Sequence, residues 1–378
     1  MRFCPWFFCS FVVSNDSRMN HTVFEEIHKR LGAKMLPFAG YLMPIEYSGV
    51  NDEHLAVRQG VGVFDVSHMG VLWVKGPRAF DLIQKITTND MSRLRQGRSL
   101  YSCMTNEQGG IVDDVIVYRP EEFKYFLVVN ASNLDKDRNW ILSQNSMGAE
   151  VEDASSRLSI LAVQGPRALD VIRKLLPPGS YAFDKNTLFT SPVGETREVM
   201  VTCTGYTGAG GVELIHYNED GPALWHQLFE AGAEYGIKPA GLGARDTLRL
   251  EMGYCLYGND IDDTVTPLEA QLGWVVKFTE GNDFVGRSAL EAQQRQGVNR
   301  LLSGIEMIDR GIPRHGYSVT DASGTVIGRV TSGTMAPSLK KGIGMAYVPS
   351  ALASPGSEVF VEIRGRLLRA KVVERPFQ

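Results

Sequence analysis

YSCMTNEQGGIVDDVIVY, residues 101–118, reads as a β-hairpin. Two alternating apolar runs flank a turn of Asn, Glu, Gln and Gly, where Gly109 and Gly110 are free to adopt positive φ. The returning strand carries an acid pair, Asp113 and Asp114, in its middle. Successive strand side chains point to opposite faces, so the two carboxylates diverge. Asp113 shares a face with Ile111, Val115 and Val117, and Asp114 shares one with Val112, Ile116 and Tyr118. One acid can be solvated while the other faces whatever the sheet covers. A carboxylate fixed beside a tyrosine on a rigid strand suits positioning a polar ligand or handling a proton. Charges that keep an edge strand from aggregating would give the same pattern.

A second hairpin repeats the design. VMVTCTGYTGAGGVELIHY, residues 199–217, places a glycine-laden turn between two apolar strands and one acid, Glu213, inside the returning strand. The turn lacks GK[ST] and does not open a helix, which argues against a nucleotide P-loop. A carboxylate in an apolar strand requires hydrogen-bonding partners unless that face is wet. Further on, GLGARDTLRLEMGY (241–254) reads as a helix with Arg245 and Arg249 one turn apart. Either arginine can pair with a neighbouring acid or present its planar fork to a ligand carboxylate.

The other elements alternate helix and strand in an irregular order. Helices are expected over 22–31, 52–58, 77–87 and 134–144, the last capped by Asn133, and strands over 34–50, 60–75 and 123–133. His68 and Met69 close the strand that contains FDVSHM; a lone histidine with no second ligand at metal spacing reads as structural. VLWVKGPRAFDLIQKI (71–86) and LSILAVQGPRALDVIRKLL (158–176) share a strand, a GPRA turn and a helix, which suggests a duplicated unit. Asp260, Asp262, Asp263 and Glu269 lack the DxDxDG register for calcium and read as a loop, with a helix starting at Pro267. From residue 301 onward, short strands alternate with Gly, Pro and Ser turns, as in a small β-barrel or sandwich. The whole is α+β.

Composition narrows the function. A chain of 378 residues needs more than one core. Net charge −4 leaves no electrostatic footprint for nucleic acid. Five cysteines without CxxC or Cys/His spacing suggest reduced thiols in a cytoplasmic protein rather than a disulfide frame or zinc site. The apolar run FCPWFFCSFVV (3–13) is shorter than the about 20 residues a membrane helix requires. We read residues 1–18 as an extension outside the native fold, with Met19 as the natural start.

Read together, KMLPFAGYLMPIEY (34–47), FDVSHM (64–69), TNEQGGIVDDVIVY (105–118), VVNASN (128–133), GYTGAGGVE (205–213), GLGARDTLRLEMGYCLYGNDIDDTVTPLEAQLGWVVKF (241–278) and TSGTMAPSLKKGIGMAYV (331–348) resemble the glycine cleavage T-protein family of aminomethyltransferases. The resemblance implies a three-lobed, cloverleaf-like α+β body. Residues 19–280 would form two interleaved lobes that bind folate, 281–300 a helix and linker, and 301–378 the C-terminal barrel. It implies transfer of a methylene from the aminomethyl-lipoyl arm of the H protein to tetrahydrofolate, giving 5,10-methylenetetrahydrofolate, ammonia and the dihydrolipoyl H protein. The P and L proteins would be indirect partners, with no metal, nucleic acid or membrane involved. By the same resemblance Asp114 is the catalytic acid, Glu213 holds the pterin, Arg245 lies in the substrate site, and Met69, Tyr101, Tyr118 and Tyr206 line the folate. The docking surface for the H protein would be basic, with Lys340-Lys341 a possible part of it. Tyr41 stands where the family usually has Trp, and Ala209-Gly210 where relatives usually have an acid. Two rivals share the resemblance: a folate-dependent demethylase of a methylated amine or sulfonium compound, and a folate-binding assembly factor. The latter carries a KGCYxGQE-like string, and this chain reads TEGNDFVGRSAL there.

Overall fold

The computed structural model describes residues 19–377, so the reading of residues 1–18 lies outside the described residues. The chain opens with α1 (Glu25–Arg30), the hairpin β1 (Lys34–Phe38) and β2 (Tyr41–Glu46), and α2 (Val50–Gln59). Next come β3 (Gly62–Asp65), β4 (Gly70–Lys75) and α3 (Ala79–Ile86), then β5 (Arg98–Thr105), β6 (Ile111–Glu121) and β7 (Lys124–Val129). After α4 (Leu134–Gln144) follow β8 (Glu150–Asp153), β9 (Leu158–Gln164) and α5 (Ala168–Leu175). The second hairpin region holds β10 (Leu188–Ser191), β11 (Val199–Thr202) and β12 (Gly211–Tyr217), and leads through α6 (Gly221–Gly232) and β13 (Lys238–Pro239) to α7 (Leu242–Glu251). The end of the chain is α8 (Arg287–Gln296) and β14 (Arg300–Met307), β15 (Ser318–Thr320), β16 (Val326–Ala336), β17 (Lys341–Pro349), β18 (Glu358–Ile363) and β19 (Arg366–Val373).

Beside the two-stranded β1–β2 sheet, these strands build two larger sheets and a barrel. One sheet has the order β5-β6-β7-β4-β8, and the other β10-β11-β12-β9-β3-β13. Because β3 belongs to the second sheet and β4 to the first, the chain crosses between lobes at residues 66–69. The six C-terminal strands close in the order β14-β17-β16-β15-β18-β19, which removes every open edge. The first sheet buries Leu82, Ile83 and Ile86 of α3 and Ile141 of α4; the second buries Val171 and Ile172 of α5 and Trp225 and Leu228 of α6. A third apolar cluster, including Phe64, Val71, Tyr118, Phe126, Ile160 and Leu248, joins the two sheets.

The two GPRA copies build matching units, one in each sheet. Each helix starts two residues after its proline, at Ala79 and at Ala168, behind an Arg at the N-cap. Pro is favoured beside a helix start because its missing N–H would have no partner there.

Three local expectations change. β6 lies between β5 and β7, so its acid pair cannot be an edge-strand charge, and Asp113 is fully buried rather than solvated. Asn133 stands at the N-cap of α4 but makes no cap bond; its amide donates to Asp113 instead. No helix continues from Pro267. Thr266 and Glu269 do form a reciprocal capping box, Thr266 N–H to Glu269 Oε2 at 2.9 Å and Glu269 N–H to Thr266 Oγ1 at 3.2 Å. Gln271 then turns left-handed at φ 59°, which ends the helical turn.

Candidate functional site

A cavity of about 2330 Å³ opens where the two sheets, α7 and the barrel meet. The hairpin β5–β6 supplies one wall. In its register Cys103 pairs with Asp114 and Tyr101 with Ile116, so Asp114, Ile116 and Tyr101 share the inward face. Asp114 and Tyr101 both border the cavity, half-buried, and Tyr101 Oη donates to Asp114 Oδ2 at 2.8 Å. Trp274 stacks on Tyr101 with ring centroids 5.7 Å apart, extending a flat aromatic wall toward solvent.

Behind Asp114 lies a buried polar cluster that sequence reasoning missed. The Asn130 side-chain amide donates to Asp114 Oδ1 at 3.0 Å and to Asp113 Oδ1 at 2.8 Å, while its backbone N–H donates to Asp113 Oδ2 at 3.1 Å. Asn133 adds a further bond to Asp113 at 2.8 Å. Asp113 thus accepts three hydrogen bonds. Asp137, buried with neither oxygen hydrogen-bonded, faces it; burial first and then the Asp113 charge hold the Asp137 proton on well above the ordinary carboxylate range. Asp114 responds to the same surroundings. Burial first, and then the Asp113 charge, push it up to about 7, against the hydrogen bonds of Tyr101 and Asn130 that favour its ionised form. The polar end of the VVNASN strand was the signal for this cluster, but only the paired sheet reveals what it holds.

The opposite wall comes from the second hairpin. Glu213 borders the cavity and accepts from Thr204 Oγ1 at 2.5 Å. Thr204 in turn is bonded by Tyr118 Oη at 3.0 Å. Tyr118 is fully buried and does not itself border the cavity, contrary to the sequence expectation; its strand position directs it across to the other sheet, where it braces Thr204. Arg245, on α7, lies over the Tyr206 ring at 4.8 Å, and its Nη1 is buried without a hydrogen-bond partner. Tyr206 is pinned in turn by donating to the carbonyl of Cys255. Met69 and His68, from the lobe crossing, also border the cavity. His68 is held neutral, its imidazole pushed down to about 4 by burial, and its Nδ1 has no hydrogen-bond partner.

Asp114, Tyr101, Met69, Tyr206, Glu213 and Arg245 therefore gather around one space, although in sequence they are spread from residue 69 to residue 245. Arg249, one turn from Arg245, does other work. It is buried, donating to Asp246, Asp260 and Ser332 at 2.8 Å each. Among the described residues no group of three or more His, Cys, Asp or Glu is placed to hold a metal ion. No described helix is long and apolar enough to cross a membrane. Lys341 is paired with Glu306 at 2.8 Å, which weakens Lys340-Lys341 as a free basic patch.

The donor set fits a flat, polar-edged heterocycle. Glu213 offers carboxylate oxygens to adjacent N–H groups, Arg245 keeps a spare donor, and the tyrosines supply apolar faces. A cavity shared by two sheets and a closed barrel, with Asp114 and Glu213 on opposite walls, defines a small-molecule binding site. Comparison with known proteins gives the particular one. Residues 24–280 match the GCVT N-terminal domain, and residues 300–378 match the glycine cleavage T-protein C-terminal barrel domain. The aminomethyltransferases of Phocaeicola vulgatus and Bacteroides fragilis are each 55% identical over 360 residues, covering 95% of this chain and 100% of theirs. The crystal structure of glycine cleavage system aminomethyltransferase T from Bartonella henselae superposes with a TM-score of 0.89 at 34% identity, covering 96% of this chain and 98% of that one. The chain belongs to the glycine cleavage T-protein family. It is an aminomethyltransferase of glycine cleavage, a folate-dependent transferase.

Proposed function

We propose that the central cavity binds tetrahydrofolate with its pterin between Glu213 and Arg245, and that Asp114 is the catalytic carboxylate. The aminomethyl group arrives on the lipoyl arm of the H protein. Its methylene forms bonds to two folate nitrogens as the C–N and C–S bonds break. The two folate N–H protons leave with ammonia and with the lipoyl thiol. Asp114 orients the reacting folate nitrogens and stabilises the positive charge that builds there. Tyr101 and Asn130 fix its carboxylate; Thr204, braced by Tyr118, fixes that of Glu213. Such a displacement calls for positioning and charge at the reacting atoms, and these residues supply both. The enzyme works beside the P and L proteins in the cytoplasm.

The observation that carries this reading is Asp114: a cavity-wall carboxylate, half-buried, held by two donors and titrating near neutrality. The test is ammonia release in a reconstituted mixture of enzyme, aminomethyl-loaded lipoyl H protein and tetrahydrofolate. Asp114→Asn keeps the shape and removes the charge, and should lower turnover by roughly 10²- to 10⁴-fold with an unchanged circular dichroism spectrum. Wild-type-like ammonia release by this variant would defeat the assignment. The same assay separates the reading from a demethylase, which would act on a methylated amine without the H protein.

A further inference from the structure

Asp137 of α4 is fully buried, does not border the cavity, and receives no N–H or O–H at either oxygen. Within hydrogen-bonding reach lies the carboxyl group of Asp113, itself fully buried on β6. The donors to Asp113 are three amide N–H groups of Asn130 and Asn133, which fill three of the four lone-pair positions of a carboxylate. The neighbouring cation is committed elsewhere: Lys136 donates to the Val112 carbonyl and to Tyr257 Oη. The other ionisable groups facing the pair are Asp114 on the same strand, Cys103 on β5, and Tyr257, Asp262 and Asp263 in the loop after α7. All of these are acids.

Two ionised carboxylates in contact inside a protein repel each other and have lost their hydration, and one proton kept between them relieves both costs. We propose that Asp113 and Asp137 hold one proton between them as an O–H···O hydrogen bond, and that Asp137 is thereby a positioning residue for Asp114. The shared proton supplies the fourth hydrogen bond to Asp113. It also leaves one negative charge behind Asp114 instead of two. Asp113 in turn fixes the Asn130 side chain, whose amide reaches Asp114 Oδ1. The link to catalysis rests on the reading of Asp114 above; the shared proton does not.

Asp137→Asn keeps a donor facing Asp113 and removes the proton, so this variant isolates the proposal. An acid that keeps its proton when folded and loses it when unfolded makes stability fall as pH rises. Between about pH 8 and 9 Asp114 is already ionised in the folded enzyme. There the wild-type folding equilibrium constant should fall about tenfold more per pH unit than that of Asp137→Asn, as read by urea titrations. Infrared spectra in the same range should show a protonated carboxyl band that Asp137→Asn lacks. Parallel pH dependences, or no such band, overturn the shared proton. The pH–rate limb set by Asp114 should stay in place in Asp137→Asn; a limb moved to lower pH would mean that an ionised Asp137 had been removed. Asp137→Leu takes the donor away and should lower kcat for ammonia release about tenfold with little change in folate KM, a loss that Asp137→Asn largely avoids. Wild-type kcat in Asp137→Leu would deny the positioning role. Full activity of Asp114→Asn with the proton still shared would instead strike at the reading of Asp114.

Discussion

Asp114 and Asp113 are neighbours in sequence with opposite tasks. Asp114 borders the cavity, whereas Asp113 sits in the protein interior and influences its neighbour through charge and through the shared Asn130 amide. Since Asp114 titrates at about 7, kcat/KM should rise as pH increases through neutrality and level off above it. Asp113→Asn removes the negative neighbour, so that limb should move to lower pH, which a pH–rate profile would read directly; an unmoved limb would exclude the coupling. The same shift has a stability consequence of fixed sign. Between the ordinary carboxylate range and about 7 the native state binds the Asp114 proton and the unfolded chain does not, so this group's contribution falls as pH rises through that window. Across the cavity, Glu213→Ala should weaken folate binding by roughly 10- to 100-fold, the effect of losing hydrogen bonds to a charged group, with a smaller change in kcat. Unchanged folate affinity by calorimetry would remove Glu213 from the pterin site.

The hairpin β5–β6 carries its site because its turn is anchored. Ile111 N–H donates to the carbonyls of Asp262 and Val265, and a Cβ at Gly110 would lie 1.9 Å from the Asp263 carbonyl oxygen. The turn therefore packs backbone to backbone against the acidic loop that follows α7, an approach open only to glycine. Gly110→Ala should cost about 1–3 kcal/mol by forcing these backbones apart, measured as a lower urea midpoint. Full stability of the variant would show that the loop yields freely. Sequence reading recovered the hairpin and the opposite faces of its two acids, because alternation is a local property; Asp114 was preferred for the tyrosine on its face and through the family resemblance. It missed Asn130, Thr204 and the brace from Tyr118, because those bonds cross between strands and sheets that are distant in sequence.

At the scale of the whole molecule, the lobes meet through buried charge as well as apolar surface. Arg249 of α7 binds Asp260, and Asp260 accepts from Thr331 and Ser332 of the barrel strand β16. Removing one partner strands a buried charge, so Arg249→Met should destabilise the enzyme by about 3–5 kcal/mol. Adding Asp260→Asn should restore part of that loss, and a double-mutant cycle in urea checks the coupling. Strict additivity of the two substitutions would show that the pair does not tie α7 to the barrel.

The α+β class, both glycine-turned hairpins with the acids they carry, and the run of short C-terminal strands were readable from the chain, since periodicity and turn chemistry are written along it; that those strands close into a barrel came with the family resemblance. Tertiary structure alone decided which polar groups meet. It buried Asp113, moved Tyr118 behind Thr204, committed Arg249 to the barrel and left Arg245 its unpaired nitrogen in the cavity. The reason is physical: a strand's own sequence fixes which face a side chain takes, but its partner is set by long-range packing. Parity set Asp114 and Asp113 on opposite faces, and the proton Asp114 holds near neutrality comes from the fold around it.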